Sequence, residues 1–197
     1  MAAYTPPART RKARQLSRTQ FYTATSLDGF IATSDDSLAW LLTRAHDEDG
    51  PLNYNEFFRD VGAMAMGSTT YEWVINHEFK DKDPADWVWP YSIPGWVFTH
   101  RDLPVIPNSN ITFVRDDVGP VHQQMMEAAA GQNVWIVGGG DLAGQFADAG
   151  LLDELIVYLA PVTLGAGKPL MPRHLELKVE EVGRNGEFAC ARYSVVR

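Results

Sequence analysis

The sequence contains little cysteine, no long apolar run and fewer basic than acidic residues. Its single cysteine, Cys190, excludes an intramolecular disulfide and any zinc site built on several cysteines. No stretch reaches the roughly 18 consecutive apolar residues of a membrane-spanning helix. The 17 basic and 25 acidic residues give a net charge of −8, so the chain lacks the broad positive surface that nucleic acids require. These absences predict a cytoplasmic protein with no membrane and no nucleic-acid partner.

The basic residues that are present concentrate at the start of the chain. The first twenty residues contain no acid and five bases, which are Arg9, Arg11, Lys12, Arg14 and Arg18. No apolar block follows these charges, so they do not form a secretory signal. We interpret residues 1–19 as a flexible arm, with a transit peptide or an arm that packs on a partner subunit as alternatives. Residues 20–197 are predicted to form one domain.

Strand-like and helix-like patterns alternate along the remaining chain. Strands are predicted over residues 21–26, 61–66, 96–99, 111–114, 134–137 and 155–159. Helices are predicted over residues 54–60, 68–76, 118–130 and from the glycine run at 138–140 to residue 149. Two final strands, 176–183 and 187–196, flank the hairpin signal Asn185-Gly186. The pattern predicts a three-layer α/β fold, with a mixed, mostly parallel central sheet and a C-terminal antiparallel hairpin.

The strongest chemical signal is the glycine run that follows the strand at 134–137. Glycines between a buried strand and a helix let backbone N–H groups approach an anion, and the helix dipole favours negative charge there. Gly138-x-Gly140-x-x-Ala143 also fits a loose dinucleotide-binding pattern. A Rossmann domain is disfavoured because the motif comes late in the chain, and the next acids, Asp153 and Glu154, precede their strand. A plain tight turn is the alternative.

Two other turns also carry groups that suit phosphate. Gly67-Ser68-Thr69-Thr70 follows a predicted strand, and its hydroxyl and N–H groups can either cap a helix or bind phosphate. Thr99-His100-Arg101 follows a later strand. The Arg101 guanidinium has the geometry to pair with a phosphate, although a solvated surface arginine fits the sequence as well.

Four motifs in order give the chain a resemblance to a known superfamily. They are SLDGFIA at residues 26–32, MGSTTYE at 66–72, IVGGG at 136–140 and APVTLGAGKPL at 160–170. The first three resemble the dihydrofolate reductase superfamily. The fourth resembles the reductase domain of riboflavin-biosynthesis deaminase–reductases and their stand-alone relatives. The resemblance covers residues 20–195 and implies an NADPH-dependent reductase, commonly a homodimer, that acts on a small pterin- or pyrimidine-like heterocycle.

The resemblance also implies positions for the cofactor. The nicotinamide would lie along Ala24, Ile31 and Ala32. The pyrophosphate would lie at Gly139, Gly140, Asp141 and Leu142, chiefly through their backbone, with help from Thr69 and Thr70 in the second turn. The adenosine 2′-phosphate would lie among Ser68, Thr99, His100 and Arg101. Gly67, Val137 and Gly138 are further candidate cofactor-binding residues of the same turns.

The substrate side departs from the family pattern. Dihydrofolate reductases carry a carboxylate on the helix after the first loop, where this chain has Tyr54, with Glu56 two residues away. The candidate proton donors are therefore Glu56, Tyr54 and water. Asp28 is a third candidate residue, which either orients the substrate or bonds the backbone of its own loop.

Trp40, Phe57 and Phe58 are the candidate substrate-binding residues. Trp40 resembles the tryptophan that closes the pterin pocket, although a core aromatic fits the sequence as well. We expect no metal site. A nucleotide-binding module without turnover and a dimeric scaffold are the alternative functions.

Overall fold

The computed structural model describes residues 17–197, so most of the predicted basic arm lies outside the described residues. Its last residues belong to the sheet. The Arg18 N–H donates to the Asn133 side chain, and the Thr19 N–H donates to Asp153. The sheet therefore begins at the predicted junction between the arm and the domain.

Eight strands form one sheet, and six of them run parallel. The strands are β1 (Thr19–Ser26), β3 (Val61–Gly67), β4 (Gly95–Phe98), β5 (Ile111–Val114), β6 (Asn133–Gly138), β7 (Glu154–Ala160), β9 (Leu177–Asn185) and β10 (Phe188–Val195). Their order in the sheet is β5-β4-β3-β6-β1-β7-β10-β9, in which β10 pairs antiparallel with both β7 and β9. In register, Phe21 of β1 lies between Ile136 of β6 and Leu155 of β7. The predicted mostly parallel sheet with a closing hairpin is confirmed.

Helices cover both faces of this sheet, which makes three layers. They are α1 (Ala39–Leu42), α2 (Tyr54–Arg59), α3 (Ser68–Glu78), α4 (Val118–Ala128) and α5 (Gly140–Asp148), with a 3-10 turn at Pro84–Asp86. The side chains of β3 alternate between the two layers. Ala63 and Ala65 pack under α4 and α5, whereas Met64 and Met66 pack under α2 and α3. This strand is buried on both faces, as parallel strands inside α/β domains are.

A second, two-stranded sheet was not predicted. It pairs β2 (Phe30–Ala32) with β8 (Lys168–Pro169), which come from distant parts of the sequence. The predicted strands and helices leave residues 27–42 without an element, so α1 is also absent from the prediction. Elements of two to four residues show no periodicity, and β2 exists through pairing with a distant segment. Together β2, β8 and α1 cover the carboxyl edge of the central sheet.

The closing hairpin turns at Gly186-Glu187, one residue after the predicted pair Asn185-Gly186, because Asn185 is the last residue of β9 and pairs with Phe188. The Asn185 side chain is buried and accepts a hydrogen bond from the Asp47 N–H at 2.7 Å. It also donates to the Asp47 carbonyl and to the Tyr158 hydroxyl, both at 3.0 Å. The asparagine thereby ties the loop before α2 to the hairpin. Across residues 17–197, no helix combines the length and apolar character that a membrane crossing demands.

Candidate active site

A cavity of about 460 Å³ opens at the carboxyl edge of the parallel strands. The ends of β1 and β6 form its floor, and the N-termini of α3 and α5 border it. The segments around β2, α1 and β8 complete its walls. Ligands of open α/β sheets bind at this edge, because the loops and helix N-termini converge there. The cavity is therefore the candidate active site.

The glycine run shapes one end of the cavity. Gly139 has a φ of +91°, a conformation that an L residue with a side chain rarely adopts, and it precedes the first residue of α5. A Cβ on Gly140 would lie 2.2 Å from the Pro169 carbonyl oxygen. Glycine at this position thus permits the β8 segment to cross directly over the N-terminus of α5.

The turn before α3 meets the glycine run. A Cβ on Gly138 would lie 2.7 Å from the Thr70 hydroxyl oxygen, so the two turns are in direct contact. No side chain caps either helix, since both N-cap residues, Gly67 and Gly139, are glycines. Two adjoining uncapped helix N-termini present backbone N–H groups and two positive dipole ends to the same space. The arrangement fits a pyrophosphate.

Most of the residues assigned to the nicotinamide and the pyrophosphate line the cavity. These are Ala24, Ile31, Ala32, Thr69, Thr70, Val137, Gly138, Gly139, Gly140 and Asp141. Leu142 instead packs into the core beneath α5, where its side chain is buried. Gly67 lies at the N-cap of α3 beside the cavity wall, and a Cβ there would meet no atom within 4 Å.

The residues assigned to the 2′-phosphate lie apart from this cavity. Arg101 pairs with Glu72 through two hydrogen bonds of 3.0 and 2.7 Å, and its N–H donates to the Thr99 hydroxyl. Thr99 and Arg101 lie at an edge of the sheet, where they line a smaller cavity of about 250 Å³. That cavity is lined by Thr99, Arg101, Asp102, Leu103, Val105, Phe113 and Arg115. Ser68 and His100 line neither cavity.

The structure does not place Tyr54 or Glu56 in the cavity. Tyr54 lies in an aromatic cluster, stacked on Phe58 at 5.4 Å and edge-on to Trp135 at 5.8 Å between ring centroids. Burial raises the pKa of its phenol, which therefore stays neutral near pH 7. Glu56 is exposed in the first turn of α2. The helix buries its Phe57 face against the sheet, which turns Glu56 towards solvent.

Asp28 holds a loop rather than facing the cavity. Its carboxylate accepts hydrogen bonds from the Ser26 hydroxyl at 2.6 Å and from the N–H groups of Leu164 and Gly165. The Ser26 hydroxyl, aided by the two N–H groups, lowers the pKa of Asp28 to about 2. Asp28 therefore joins the turn after β1 to the segment before β8, which matches the loop-bonding interpretation.

Trp40, Phe57 and Phe58 also lie outside the cavity lining. Trp40 packs against a core cluster that includes Tyr158 and Phe188. Its neighbours Leu38 and Leu41 do line the cavity. Residues three positions apart lie on the same side of a helical turn, and Trp40 lies on a different side from these two leucines. Phe57 and Phe58 belong to the aromatic cluster around Trp135.

Sequence reasoning missed several residues of the cavity. They are Thr23, Leu38, Leu41, Trp73 and Pro172. Three other lining residues had a sequence signal: Asp36 ends a loop, 33–36, that we expect to face the substrate, and Lys168 and Pro169 belong to the fourth motif, in which Lys168 is a candidate contact for a ribose phosphate. Of the missed residues, one had a usable signal. Trp73 follows Thr69 by four positions on a predicted helix, so the two residues share a face. The other missed residues reach the cavity through contacts between segments that are distant in sequence.

Two features of the described residues bear on other chemistry. Cys190 is fully buried, and burial raises the pKa of its thiol, which makes it an unreactive core residue. Among residues 17–197, no group of three or more His, Cys, Asp or Glu side chains has the arrangement of a metal site.

Comparison with known proteins identifies related sequences and folds. The family described as the RibD C-terminal domain matches residues 68–187. The uncharacterised protein YwjB of Bacillus subtilis (strain 168) is 30% identical over 155 residues, which are 78% of this chain and 82% of that protein. YyaP of the same organism, also uncharacterised, is 26% identical over 151 residues, 75% of this chain and 76% of YyaP.

Solved structures share the architecture. A protein from Shewanella sp. PV-4, named for riboflavin biosynthesis, superposes with a TM-score of 0.74 at 23% identity, covering 91% of this chain and 99% of that one. A deaminase/5-amino-6-(5-phosphoribosylamino)uracil reductase of Thermotoga maritima superposes with a TM-score of 0.60 at 16% identity, over 92% of this chain and 57% of that one. At these identities the likeness shows the fold alone.

Proposed function

The chain belongs to the RibD C-terminal domain family, with a dihydrofolate-reductase-like fold, and we propose that it is an NADPH-dependent reductase of a pterin- or pyrimidine-like heterocycle. One observation supports this above the others. The uncapped N-termini of α3 and α5 meet at a cavity on the carboxyl edge of the sheet, with Gly138 in contact with Thr70. Such a pair of helix ends suits a doubly charged pyrophosphate.

The chain's own residues would bind and orient the reactants. Backbone N–H groups at Gly139 and Gly140 and the hydroxyls of Thr69 and Thr70 would hold the pyrophosphate. The aliphatic side chains of the cavity would exclude water along the nicotinamide, which strengthens every electrostatic interaction inside. When bound, the reduced nicotinamide supplies a hydride to an unsaturated ring carbon. Orientation in a dry cavity is then the protein's main contribution.

The reduction also needs a proton for the substrate. Tyr54, Glu56 and Asp28 line no part of the cavity, and the charged residues that do are Asp36, Asp141 and Lys168. Asp141 pairs with Arg173 at 2.9 Å, and Asp36 pairs with Lys168 at 3.4 Å. We therefore propose that solvent entering the cavity delivers the proton to the substrate.

A preference for NADPH over NADH is proposed from Arg101. In the structure its guanidinium is paired with Glu72 beside the smaller cavity, at the same sheet edge as the main cavity, so a bound 2′-phosphate would take the place of the Glu72 carboxylate. Titration of the protein with both cofactors tests this, because a bound reduced nicotinamide quenches tryptophan fluorescence. We expect Arg101→Ala to lower the affinity for NADPH about tenfold and to leave that for NADH unchanged. Arg184→Ala, an exposed arginine on the hairpin, is the control. Equal affinities for NADPH and NADH in the unmodified protein would contradict the preference.

A binding module without turnover is the second candidate. It is favoured by the position of Tyr54 and Glu56 outside the cavity, which leaves no free acid among the described lining residues. NADPH binding without NADPH oxidation across a panel of pterins and pyrimidines would select this function over the reductase.

We also propose that the protein forms a homodimer and is located in the cytoplasm. The edge strand β9 exposes Val179 and Val182, which are 56% and 73% accessible, and an open edge strand offers unpaired backbone groups to a second copy. Light scattering checks the mass, and a single-subunit value would exclude the dimer.

A further inference from the structure

Trp73 gives the cavity an aromatic wall one helical turn from the phosphate-binding end. It lies four residues after Thr69 on α3, and both residues line the cavity. The His77 ring stacks on the indole, with ring centroids 4.5 Å apart and planes at 14°. The stack already restricts the indole, so the Trp73 side chain loses little further conformational entropy when a flat ligand packs on it.

The charged residues of the cavity are already paired. Lys168 Nζ lies 3.4 Å from Asp36 Oδ1, and these side chains are 47% and 40% exposed. Asp141 pairs with Arg173. Among the described residues that line the cavity, every charged side chain thus has an oppositely charged partner. A phosphate group placed near Lys168 would have to break its ion pair and would meet the Asp36 carboxylate.

The remaining wall at this end is apolar. It is formed by Leu38 and Leu41 of the α1 segment. The two helix N-termini that suit phosphate are occupied by the cofactor's pyrophosphate in the proposed function. A substrate in the rest of the cavity therefore finds aliphatic and aromatic surface, and no anion site that is free of a competing carboxylate.

We infer that Trp73 stacks on the substrate, and that the substrate is a flat, uncharged ring system without a phosphate group. The inference rests on the proposed function for the assignment of the helix N-termini to the cofactor. Of the two substrate classes considered above, it selects a pterin-like bicycle over a ring that carries a ribose phosphate. Asp36 contributes to this selection by holding Lys168 and repelling anions.

Equilibrium dialysis with two probes tests the stacking. Lumazine is a flat pteridine without phosphate, and uridine 5′-monophosphate carries a pyrimidine and a phosphate. We expect lumazine to bind more tightly than uridine 5′-monophosphate to the full chain, with and without NADP⁺. Trp73→Leu should weaken lumazine binding about tenfold, whereas Trp73→Phe should stay within about threefold. Trp87→Leu, a tryptophan outside the cavity, is the matched control.

The outcomes separate this inference from the proposed function. Unchanged lumazine affinity in Trp73→Leu, or tighter binding of uridine 5′-monophosphate than of lumazine to the unmodified protein, overturns the inference. The NADPH affinity of each variant is measured in parallel, so that a loss of cofactor binding is distinguished from a loss of substrate stacking. An unmodified protein that binds lumazine through Trp73 but does not bind NADPH overturns the cofactor proposal and leaves the stacking role of Trp73 standing.

A gain-of-binding variant tests the role of Asp36. Asp36→Asn keeps a residue type that tolerates the φ of +62° at this position, and it leaves Lys168 without its carboxylate. We expect this variant to bind uridine 5′-monophosphate about tenfold more tightly, with lumazine affinity unchanged. Asp35→Asn, at the neighbouring exposed position, should change neither affinity. No gain in Asp36→Asn would contradict the role of the carboxylate in rejecting phosphate.

Discussion

The two ends of the cavity differ in how their residues are arranged along the chain. The phosphate-binding end is lined by two short contiguous segments, 69–70 and 137–141, each at a strand-to-helix turn. The other end draws Thr23, Leu38, Trp73 and Lys168 from four separate elements or loops. Contiguous turns carry their geometry in the local sequence, whereas the other end depends on how distant segments pack. The positions of glycine and threonine in the sequence determine the geometry of the first end, whereas tertiary contacts determine the geometry of the second.

The largest expected effect is at Gly140, where the two ends join through β8. A Cβ there would lie 2.2 Å from the Pro169 carbonyl oxygen, and backbone on both sides would have to shift. We expect Gly140→Ala to destabilise the protein by about 3 kcal/mol or more, measured by urea unfolding. Gly119→Ala is the control, since a Cβ at this partly buried helical position meets no atom within 4 Å. Equal stability of the two variants would show that β8 does not constrain α5.

The contact between the two turns gives the next largest effect. Gly138→Ala should destabilise the protein by about 1–3 kcal/mol, because its methyl group would meet the Thr70 side chain. Thr70→Ala removes the two atoms that lie closest to that methyl group. We therefore expect the double variant Gly138→Ala/Thr70→Ala to recover about 1 kcal/mol or more relative to additivity. Strict additivity in the unfolding free energies would mean that the turns do not touch.

Asp28 tests the loop that supports the other end. Its pKa of about 2 in the folded protein lies below the value of about 3.9 in an unfolded chain. The ionised carboxylate therefore stabilises the fold above about pH 4, and this contribution disappears as the pH falls towards 2. We expect the stability difference between the unmodified protein and Asp28→Asn to be constant from pH 7 to 5 and to shrink below pH 4. Thermal unfolding measures it, with the exposed Asp116→Asn as control. A difference that persists unchanged at pH 2 would exclude this source of stability.

The smallest effects are expected at Tyr54 and Glu56. Glu56→Gln should change stability by less than about 0.5 kcal/mol, since the side chain is exposed. Tyr54→Phe should change stability by less than about 1 kcal/mol, because phenylalanine keeps the ring packing against Phe58 and Trp135. Both variants should bind NADPH with the unmodified affinity and turn over any accepted substrate at an unchanged rate. A rate reduced tenfold or more in either variant would return that residue to the reaction.

Much of the fold and the phosphate-binding end could be predicted from the sequence. The six parallel strands follow from short apolar runs, the hairpin from Asn185-Gly186, and the two helix N-termini from glycine after a buried strand. Each of these signals lies within a few residues. A glycine that needs a positive φ, such as Gly139, is visible in the sequence itself because few other residues are tolerated there.

The other end could not be predicted in the same way. Trp40 and Leu41 are neighbours in sequence, yet only Leu41 lines the cavity, because the orientation of α1 depends on packing against Tyr158 and Phe188. The same holds for α2, whose aromatic residues Tyr54 and Phe57 pack with Tyr22 and Trp135. Which face of a short helix is buried is decided by its partners across the sheet, which no local pattern encodes.

The central claim is that the glycine run binds the cofactor, and NADPH titration of three proteins tests it most directly. Gly139 and Gly131 share a φ of +91°, and neither Cβ position is closer than 3.5 Å to another heavy atom. Alanine would therefore have to adopt a positive φ at both sites, but only Gly139 lines the cavity. We expect Gly139→Ala to bind NADPH about tenfold or more weakly, and Gly131→Ala to bind it as tightly as the unmodified protein does. Undiminished affinity in Gly139→Ala, or no NADPH binding by the unmodified protein, would contradict it.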